Sequence, residues 1–76
     1  MNKMQQALLV LMDHGFTRIA DRISRARDAD SKLLAARSGF YELCRDASAY
    51  PLRRAQYLAA INALNAALVE LEGEAR

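Results

Sequence analysis

The chain has 76 residues with a single cysteine, its formal net charge is +2, and 53% of its residues are hydrophobic. This length allows no more than one domain, which we expect to span 1–76, and the core of such a small domain is only marginally stable on its own. A single cysteine excludes an internal disulfide and suits a cytoplasmic protein. The apolar run at 7–12 is too short to span a membrane, and the net charge by itself implies no strong attraction to any class of partner.

The composition favours helices over strands. Alanine and leucine dominate, β-branched residues are few, and Pro51 is the only proline. Turn residues between short alternating runs, which are typical of β-sheets, are missing. We therefore predict an all-α fold, either a three-helix bundle or a long helical hairpin, with helices at about 3–28, 32–47 and 51–72.

The first helix is expected to begin after Asn2, which forms a capping-box pattern with Gln5. An apolar stripe with helical spacing follows and keeps its phase across Gly15, so we predict one helix over 3–28. Gly15 then lies within the apolar face, where it allows another helix to approach closely. The alternative is a helix that ends at Gly15 and a second helix capped by Thr17. The stripe consists of Met4, Leu8, Leu11, Met12, Gly15, Phe16, Ile19, Ile23 and Ala26.

A second helix is predicted over 32–47. It is preceded by three residues of types that commonly cap helices, Asp28, Asp30 and Ser31. No glycine or proline occurs at 16–38, so one very long helix that joins the first two is an alternative. The apolar face of the second helix contains Leu33, Ala36, Phe40, Leu43, Cys44 and Ala47, with Leu34 and Tyr41 at its flank.

The last helix is predicted over 51–72, because Ser48 can cap it, Pro51 suits a first turn and Gly73 can end it. Large apolar residues recur along it at spacings of 4, 3, 4 and 3, which is the pattern of a helix-packing seam. That seam consists of Tyr57, Ile61, Leu64, Leu68 and Leu71. The other side of this helix carries Ala55, Ala59, Ala63 and Ala66, which are either exposed helix formers or a second surface for close helix contact.

We expect no catalytic residue, cofactor or metal, and hence no enzyme. His14 is the only histidine, and Asp13 beside it would point in another direction from the same helix. Cys44 lies on an apolar face without a group placed to activate it, so we interpret it as a small core residue. Two pairs of carboxylates lie one helical turn apart on polar faces, where solvated charge is the simpler interpretation: Glu42 with Asp46, and Glu70 with Glu74.

Arginine residues form the most informative polar pattern. Arg18, Arg22 and Arg25 recur at spacings of 4 and 3, which places them on one edge of a helix beside the apolar stripe. Asp21 can pair with Arg18 and Arg25 and partly neutralise this edge. It is either a solvated, salt-bridged flank or a contact surface for an acidic partner.

We therefore predict a non-catalytic helical protein that acts as a regulator, adaptor or inhibitor by binding another protein through Arg18, Arg22 and Arg25. The alternative is a DNA- or RNA-binding regulator that uses the same arginine edge. A helix-turn-helix motif at 15–26 would require a helix break, which one helix over 3–28 would exclude. An amphipathic helix on a membrane surface is a weaker option, because the apolar first half of this helix lacks a polar face rich in lysine and arginine.

A homodimer is also predicted, because the apolar residues of the first helix exceed what one face can bury. Leu9 and Val10 widen the stripe almost to a full circle, and a chain this small gains stability from assembly. The residues expected in the core seam or in the contact between two copies are Leu8, Leu11, Gly15, Tyr57, Ile61, Leu64, Leu68 and Leu71.

Overall fold

The computed structural model describes residues 2–74, apart from the side chain of Glu74. These residues form four α-helices: α1 at Lys3–Asp13, α2 at Thr17–Arg25, α3 at Ala29–Ala49 and α4 at Arg54–Glu74. A short 3-10 helix at Pro51–Arg53 joins α3 to α4, and no strand occurs in the described part of the chain. The all-α prediction is confirmed. The ends of the expected domain, Met1, Ala75 and Arg76, lie outside the described residues.

Helix α1 begins where the capping pattern predicts. The backbone N–H of Gln5 donates to Oδ1 of Asn2 at 2.8 Å, and the backbone N–H of Asn2 donates to Oε1 of Gln5 at 3.2 Å. Both halves of the capping box are therefore formed, and two backbone donors that a helix start would leave unpaired are satisfied.

The prediction of one helix over 3–28 is wrong, because α1 ends before Gly15. Gly15 has a φ of +84°, a left-handed conformation that glycine adopts without the steric cost that a Cβ imposes. Its N–H donates to the carbonyl of Met12 at 3.2 Å, and the N–H of Phe16 donates to the carbonyl of Leu11 at 2.7 Å. These two bonds form a Schellman motif, which satisfies the last carbonyls of α1 and turns the chain into α2.

The joint between α2 and α3 also differs from the alternative of one very long helix. Ala26 has a ψ of 129° and Asp28 a ψ of 168°, so the backbone between the two helices is extended. Asp28 caps α3 by accepting a 2.7 Å hydrogen bond from the backbone N–H of Ser31. This bond, with a further one from the Ser31 side chain, holds the pKa of the Asp28 carboxyl below its ordinary value. Helix α3 consequently starts three residues earlier than predicted.

The boundaries of α3 and α4 depart from the predicted ones at three further residues, Ser48, Pro51 and Gly73. Ser48 lies inside α3, which continues to Ala49, and so does not cap the last helix. Pro51 instead occupies the first turn of the 3-10 helix, where its missing N–H is not needed. Gly73 does not end α4, because it keeps a helical conformation within Arg54–Glu74.

The helices pack as a ring in which each contacts its two neighbours: α1 on α4, α4 on α3, α3 on α2 and α2 on α1. The ring of Phe16 lies 4.9 Å from that of Tyr57, which places the end of α1 beside the beginning of α4. The core inside the ring consists of Met4, Ala7, Leu11, Ile19, Ala20, Ile23, Ala36, Leu43, Tyr57, Ala60, Leu64, Ala67 and Leu68. Alanine at several fully buried positions allows neighbouring helices to approach closely.

The glycine at a close helix contact is Gly39, and not Gly15 as predicted. A Cβ on Gly39 would lie 2.6 Å from Cγ2 of Ile19 and 3.6 Å from Cδ2 of Leu64. Gly39 is buried in α3, so the absence of a side chain there admits Ile19 of α2. Gly15 lies in an exposed turn with no atom within 4 Å of the position that a Cβ would occupy, so its role is conformational.

Candidate protein-binding surface on helix α2

Helix α2 is a short amphipathic helix with one buried side. Ile19, Ala20 and Ile23 lie one turn apart or less and are buried, whereas the polar residues of the helix are exposed. Helix α2 packs less extensively on its neighbours than α1 and α3 pack on α4. It therefore presents most of its circumference to a potential partner.

Two of the three predicted arginines are held by one carboxylate of α3. Arg18 Nη2 lies 3.5 Å from Glu42 Oε1, and Arg22 Nη1 lies 3.6 Å from Glu42 Oε2. The Glu42 side chain is mostly covered, whereas that of Arg18 is 83% exposed and that of Arg22 is 43% exposed. Glu42 thus orients both guanidiniums along the α2–α3 boundary and leaves most of Arg18 open to solvent. The sequence offered no local signal for this pairing, because Glu42 lies on another helix.

The third arginine is paired within α2 itself. Arg25 Nε lies 3.0 Å from Asp21 Oδ2, one helical turn away, and both side chains are exposed. The predicted pairing of Asp21 with Arg25 is thus formed, whereas Arg18, its other expected partner, lies against Glu42. The structure brings the three arginines onto one helix with acidic side chains between or beside them. The surface therefore alternates in charge and is not uniformly basic.

An open groove of about 590 Å³ runs along the side of α2 that faces α1. Its lining residues are Met12, Thr17, Arg18, Ala20, Asp21 and Ser24. Met12 is 56% exposed, although the sequence pattern places it on the apolar face of one long helix. Because the helix break reorients α1 against α2, Met12 and the charged residues of α2 meet in one groove.

A second open groove, of about 450 Å³, lies at the end of the bundle where α2 begins. The guanidinium of Arg53 lies 5.8 Å from the ring centre of Phe16 and 5.7 Å from that of Tyr57. The ring of Tyr50 stacks on Tyr57 at 6.2 Å with an angle of 8° between the planes. These are cation–π and aromatic contacts that stabilise the junction of α1, α4 and the 3-10 helix. Sequence reasoning missed Arg53, although Tyr57 lies only four residues further along, because its contact with Phe16 joins residues that are distant in the chain.

The predicted seam residues lie mainly inside a single chain. Leu11, Tyr57, Leu64 and Leu68 are buried, and Leu8, Ile61 and Leu71 are half-buried against the same core. Gly15 is the exception, since it lies in the exposed turn after α1. A contact between two copies of the chain would consequently need a different surface.

Of the two side chains considered for chemistry, Cys44 has surroundings that differ from the predicted ones. Cys44 is exposed on α3 and is not a core residue as predicted, because α3 turns Leu43 and not Cys44 toward the core. His14 is the C-cap residue of α1 and is half-buried. Within residues 2–74, no group of three or more His, Cys, Asp or Glu side chains is arranged to hold a metal ion.

In the predicted pair of Glu42 and Asp46, each carboxylate forms an ion pair with arginine. Glu42 bonds the arginines of α2, whereas Asp46 accepts a 3.2 Å hydrogen bond from Nε of Arg45. The pair of Glu70 and Glu74 involves the side chain of Glu74, which lies outside the described residues. Glu42 and Asp46 therefore act as partners for cations in this fold.

Compared with protein-family models, with curated proteins and with solved structures, the chain shows no significant match. Among the described residues, no helix has both the length and the apolar character needed to cross a membrane. Any account of function therefore rests on the surfaces of this fold.

Proposed function

We propose that this chain is a non-catalytic protein-binding module of the cytoplasm that regulates, links or inhibits a partner through the outer surface of α2. The observation that carries the proposal is the groove beside α2, where exposed Met12 lies next to Arg18 and Asp21. Protein interfaces combine an apolar centre with a charged and polar rim in this way. The matching partner is a segment with an apolar side chain flanked by a carboxylate and a cation, which complement Arg18 and Asp21.

The charge pattern favours a protein over a polyanion as partner. Arg18 and Arg22 share Glu42, and Arg25 is paired with Asp21, so each cation of this surface has an acidic neighbour. A nucleic-acid surface gains its affinity from cations that are free to neutralise phosphates. Alternating charges instead select a partner with complementary alternating charges.

Exposed arginines are also suited to specific contact. The guanidinium groups of Arg18 and Arg25 are more than three-quarters exposed and have further N–H donors beyond those used in their ion pairs. Arginine binds carboxylates through two parallel hydrogen bonds, which gives directional recognition. These two side chains can therefore bind a partner without loss of the internal ion pairs.

A charge-inverted variant tests this proposal without breaking the ion pairs of the fold. It combines Arg18→Glu, Arg22→Glu and Glu42→Arg with an exchange of Asp21 and Arg25, so that each pair is kept with reversed sign. Wild-type protein immobilised on a resin would recover partners from an extract of the native host. We expect the inverted variant to keep its helical circular dichroism and melting temperature but to lose that binding.

The matched control is Arg45→Glu, which alters the net charge by the same amount on α3. Arg45 is exposed and paired with its neighbour Asp46, so its replacement removes one exposed ion pair and makes the same change in net charge outside α2. We expect this control to bind as wild type does. Equal binding by wild type and the inverted variant would refute the role of α2.

Binding of DNA or RNA is the second candidate, because the helix break removes an objection to a helix-turn-helix arrangement. Helices α1 and α2 are joined by a turn of residues 14–16 that contains Gly15, a length and composition common in such motifs. Helix α2 would then be the recognition helix, with Thr17, Arg18, Arg22 and Arg25 toward the nucleic acid.

Salt dependence separates the two candidates. Duplex DNA bound through phosphates would lose affinity with a log–log slope of about −0.9 per phosphate contact. The affinity of a protein partner that also buries Met12 would depend less steeply on salt. Met12→Lys would strongly weaken the binding of that partner. Titration of mixed-sequence duplex DNA at several salt concentrations, followed by fluorescence anisotropy, gives the slope directly.

A further inference from the structure

The side of the bundle formed by α3 and α4 is unusually apolar for a solvent-facing surface. Of the eight large hydrophobic residues that are exposed among residues 2–74, four belong to these two helices: Leu34, Tyr41, Leu58 and Val69. Tyr41 is 72% exposed and Val69 is 63% exposed. Exposed apolar residues that cluster on one face mark a contact surface more often than scattered ones do.

Helical spacing places these residues on the same face as an ion pair between α3 and α4. Arg37 Nη2 of α3 bonds Oε1 of Glu72 of α4 at 2.8 Å, and both side chains are about half exposed. Leu34 and Tyr41 lie one turn on either side of Arg37, and Val69 lies one turn before Glu72. The face therefore combines apolar residues with the Arg37–Glu72 pair, and exposed Asp30 and Arg45 of α3 lie one turn before Leu34 and one turn after Tyr41.

We infer that this α3–α4 face is where a second copy of the chain binds, with a two-fold axis parallel to the bundle. In that arrangement α3 of one copy lies on α4 of the other. Arg37 and Glu72 lie at the same position along the bundle, and rotation about a parallel axis does not change that position. Arg37 therefore lies opposite the partner's Glu72. Tyr41, one turn further along α3, comes to the height of the partner's Val69. A closed dimer requires this kind of self-complementary surface.

The dimensions of the bundle support a side-by-side contact. The bundle measures 37 × 21 × 21 Å, so its long side approaches the roughly 800 Å² that each partner buries in a standard interface. Its square ends offer only about half of that area. Contact through the α3–α4 face would also leave the grooved α1–α2 side of both copies uncovered, so two partner-binding surfaces would point away from each other.

Charge separates this face from the surfaces formed by α2. The boundary of α2 with α3 carries Arg18 and Arg22 around Glu42, and α2 itself exposes Arg25 and Asp21. Burial of those groups against an identical surface would bring like charges together and desolvate them. On the α3–α4 face, the two-fold axis instead places Arg37 opposite the partner's Glu72.

The first test is the mass in solution, measured by sedimentation velocity over a series of concentrations. We expect wild type to reach the mass of two chains at tens of micromolar. Val69→Lys should raise the dissociation constant by at least about tenfold, because it places a charge in the apolar contact. Met12→Lys is the matched control, since Met12 is similarly exposed on the opposite side, and it should leave the dimer intact.

The second test uses charge exchange to detect pairing between chains. Arg37→Glu and Glu72→Arg should each weaken the dimer, because each variant carries two like charges on this face. An equimolar mixture of the two variants should recover the mass of two chains. Pairing within a chain cannot produce this recovery, since each chain in the mixture still carries two like charges.

Three results would overturn the inference. They are a wild-type mass of one chain at every concentration, dissociation by Met12→Lys but not by Val69→Lys, and no recovery in the mixture. Circular dichroism checks that each variant stays helical. If Val69→Lys loses its helical structure, Tyr41→Lys is used in its place. A two-chain mass that Val69→Lys or Tyr41→Lys abolishes, together with recovery in the mixture, supports it.

Discussion

Helices α4 and α2 occupy diagonal positions in the ring and are held in different ways. Helix α4 buries Ala60, Leu64 and Ala67 completely and packs extensively on both α1 and α3. Helix α2 has a smaller buried side, one close contact at Gly39 and ion pairs that reach Glu42 of α3. Partly exposed ion pairs contribute little to stability, so α2 depends on few apolar contacts. Most of the stabilising contacts are thus made by α4, whereas α2 offers the surface that is available for recognition.

The largest expected effect is at the centre of α4. Leu64→Ala should reduce the free energy of unfolding by about 2–5 kcal/mol, because Leu64 is fully buried between neighbouring helices. Ile23→Ala in α2 should cost less, since a weakly packed helix can shift to fill the cavity. Urea denaturation of both variants measures the difference, with fully exposed Leu52→Ala as a neutral control. An equal or greater loss for Ile23→Ala would contradict the comparison.

Gly39 sharpens the comparison, because it limits how closely α2 can approach. Gly39→Ala should destabilise the protein, since overpacking costs about 1–3 kcal/mol and the gain in helix propensity is about 1 kcal/mol. Cγ2 of Ile19 is attached at a branched carbon and cannot easily move away. Gly73→Ala is the control, because no atom lies within 4 Å of its Cβ position. If both variants gained stability on thermal unfolding, close contact at Gly39 would be disproved.

Gly15 tests the turn that separates α1 from α2. Gly15→Ala should cost about 1 kcal/mol, because a residue with a Cβ is strained at a φ of +84°. Gly15→Asn should cost less, since asparagine tolerates the left-handed conformation better. Denaturation midpoints of the two variants measure this order. A stabilised Gly15→Ala would indicate that α1 can continue through the turn.

The smallest effect concerns the joint that leads from α2 into α3. Because its folded-state pKa is lowered, Asp28 stabilises the protein above the pKa of its unfolded form. This contribution is lost as the pH falls through the folded-state pKa. Asp28→Asn keeps a capping side chain but removes the titrating carboxyl. The melting temperature of wild type should therefore fall further than that of this variant between pH 7 and about pH 3. Parallel loss in both proteins would show that Asp28 has no such role.

Local chemistry in the sequence determined the helical class, the capping box at Asn2 and most of the apolar residues of α4. These features depend on residues within one or two helical turns, so spacing and residue type are sufficient to predict them. The arginine spacing likewise placed Arg18, Arg22 and Arg25 on one helix. The acidic partner within the helix, Asp21, was predictable for Arg25 for the same reason.

The tertiary structure alone decided how α1 and α2 are oriented and what surrounds α2. A continuous apolar stripe fits both one straight helix and two helices folded back on each other, because periodicity does not report the direction of the chain axis. Glycine can adopt the left-handed conformation of Gly15 locally, but the contact of Phe16 with Tyr57 that accompanies it joins residues distant in the chain. The contact at Gly39 and the pairing of Arg18 with Glu42 join different helices, and their energies exist only once the ring has closed.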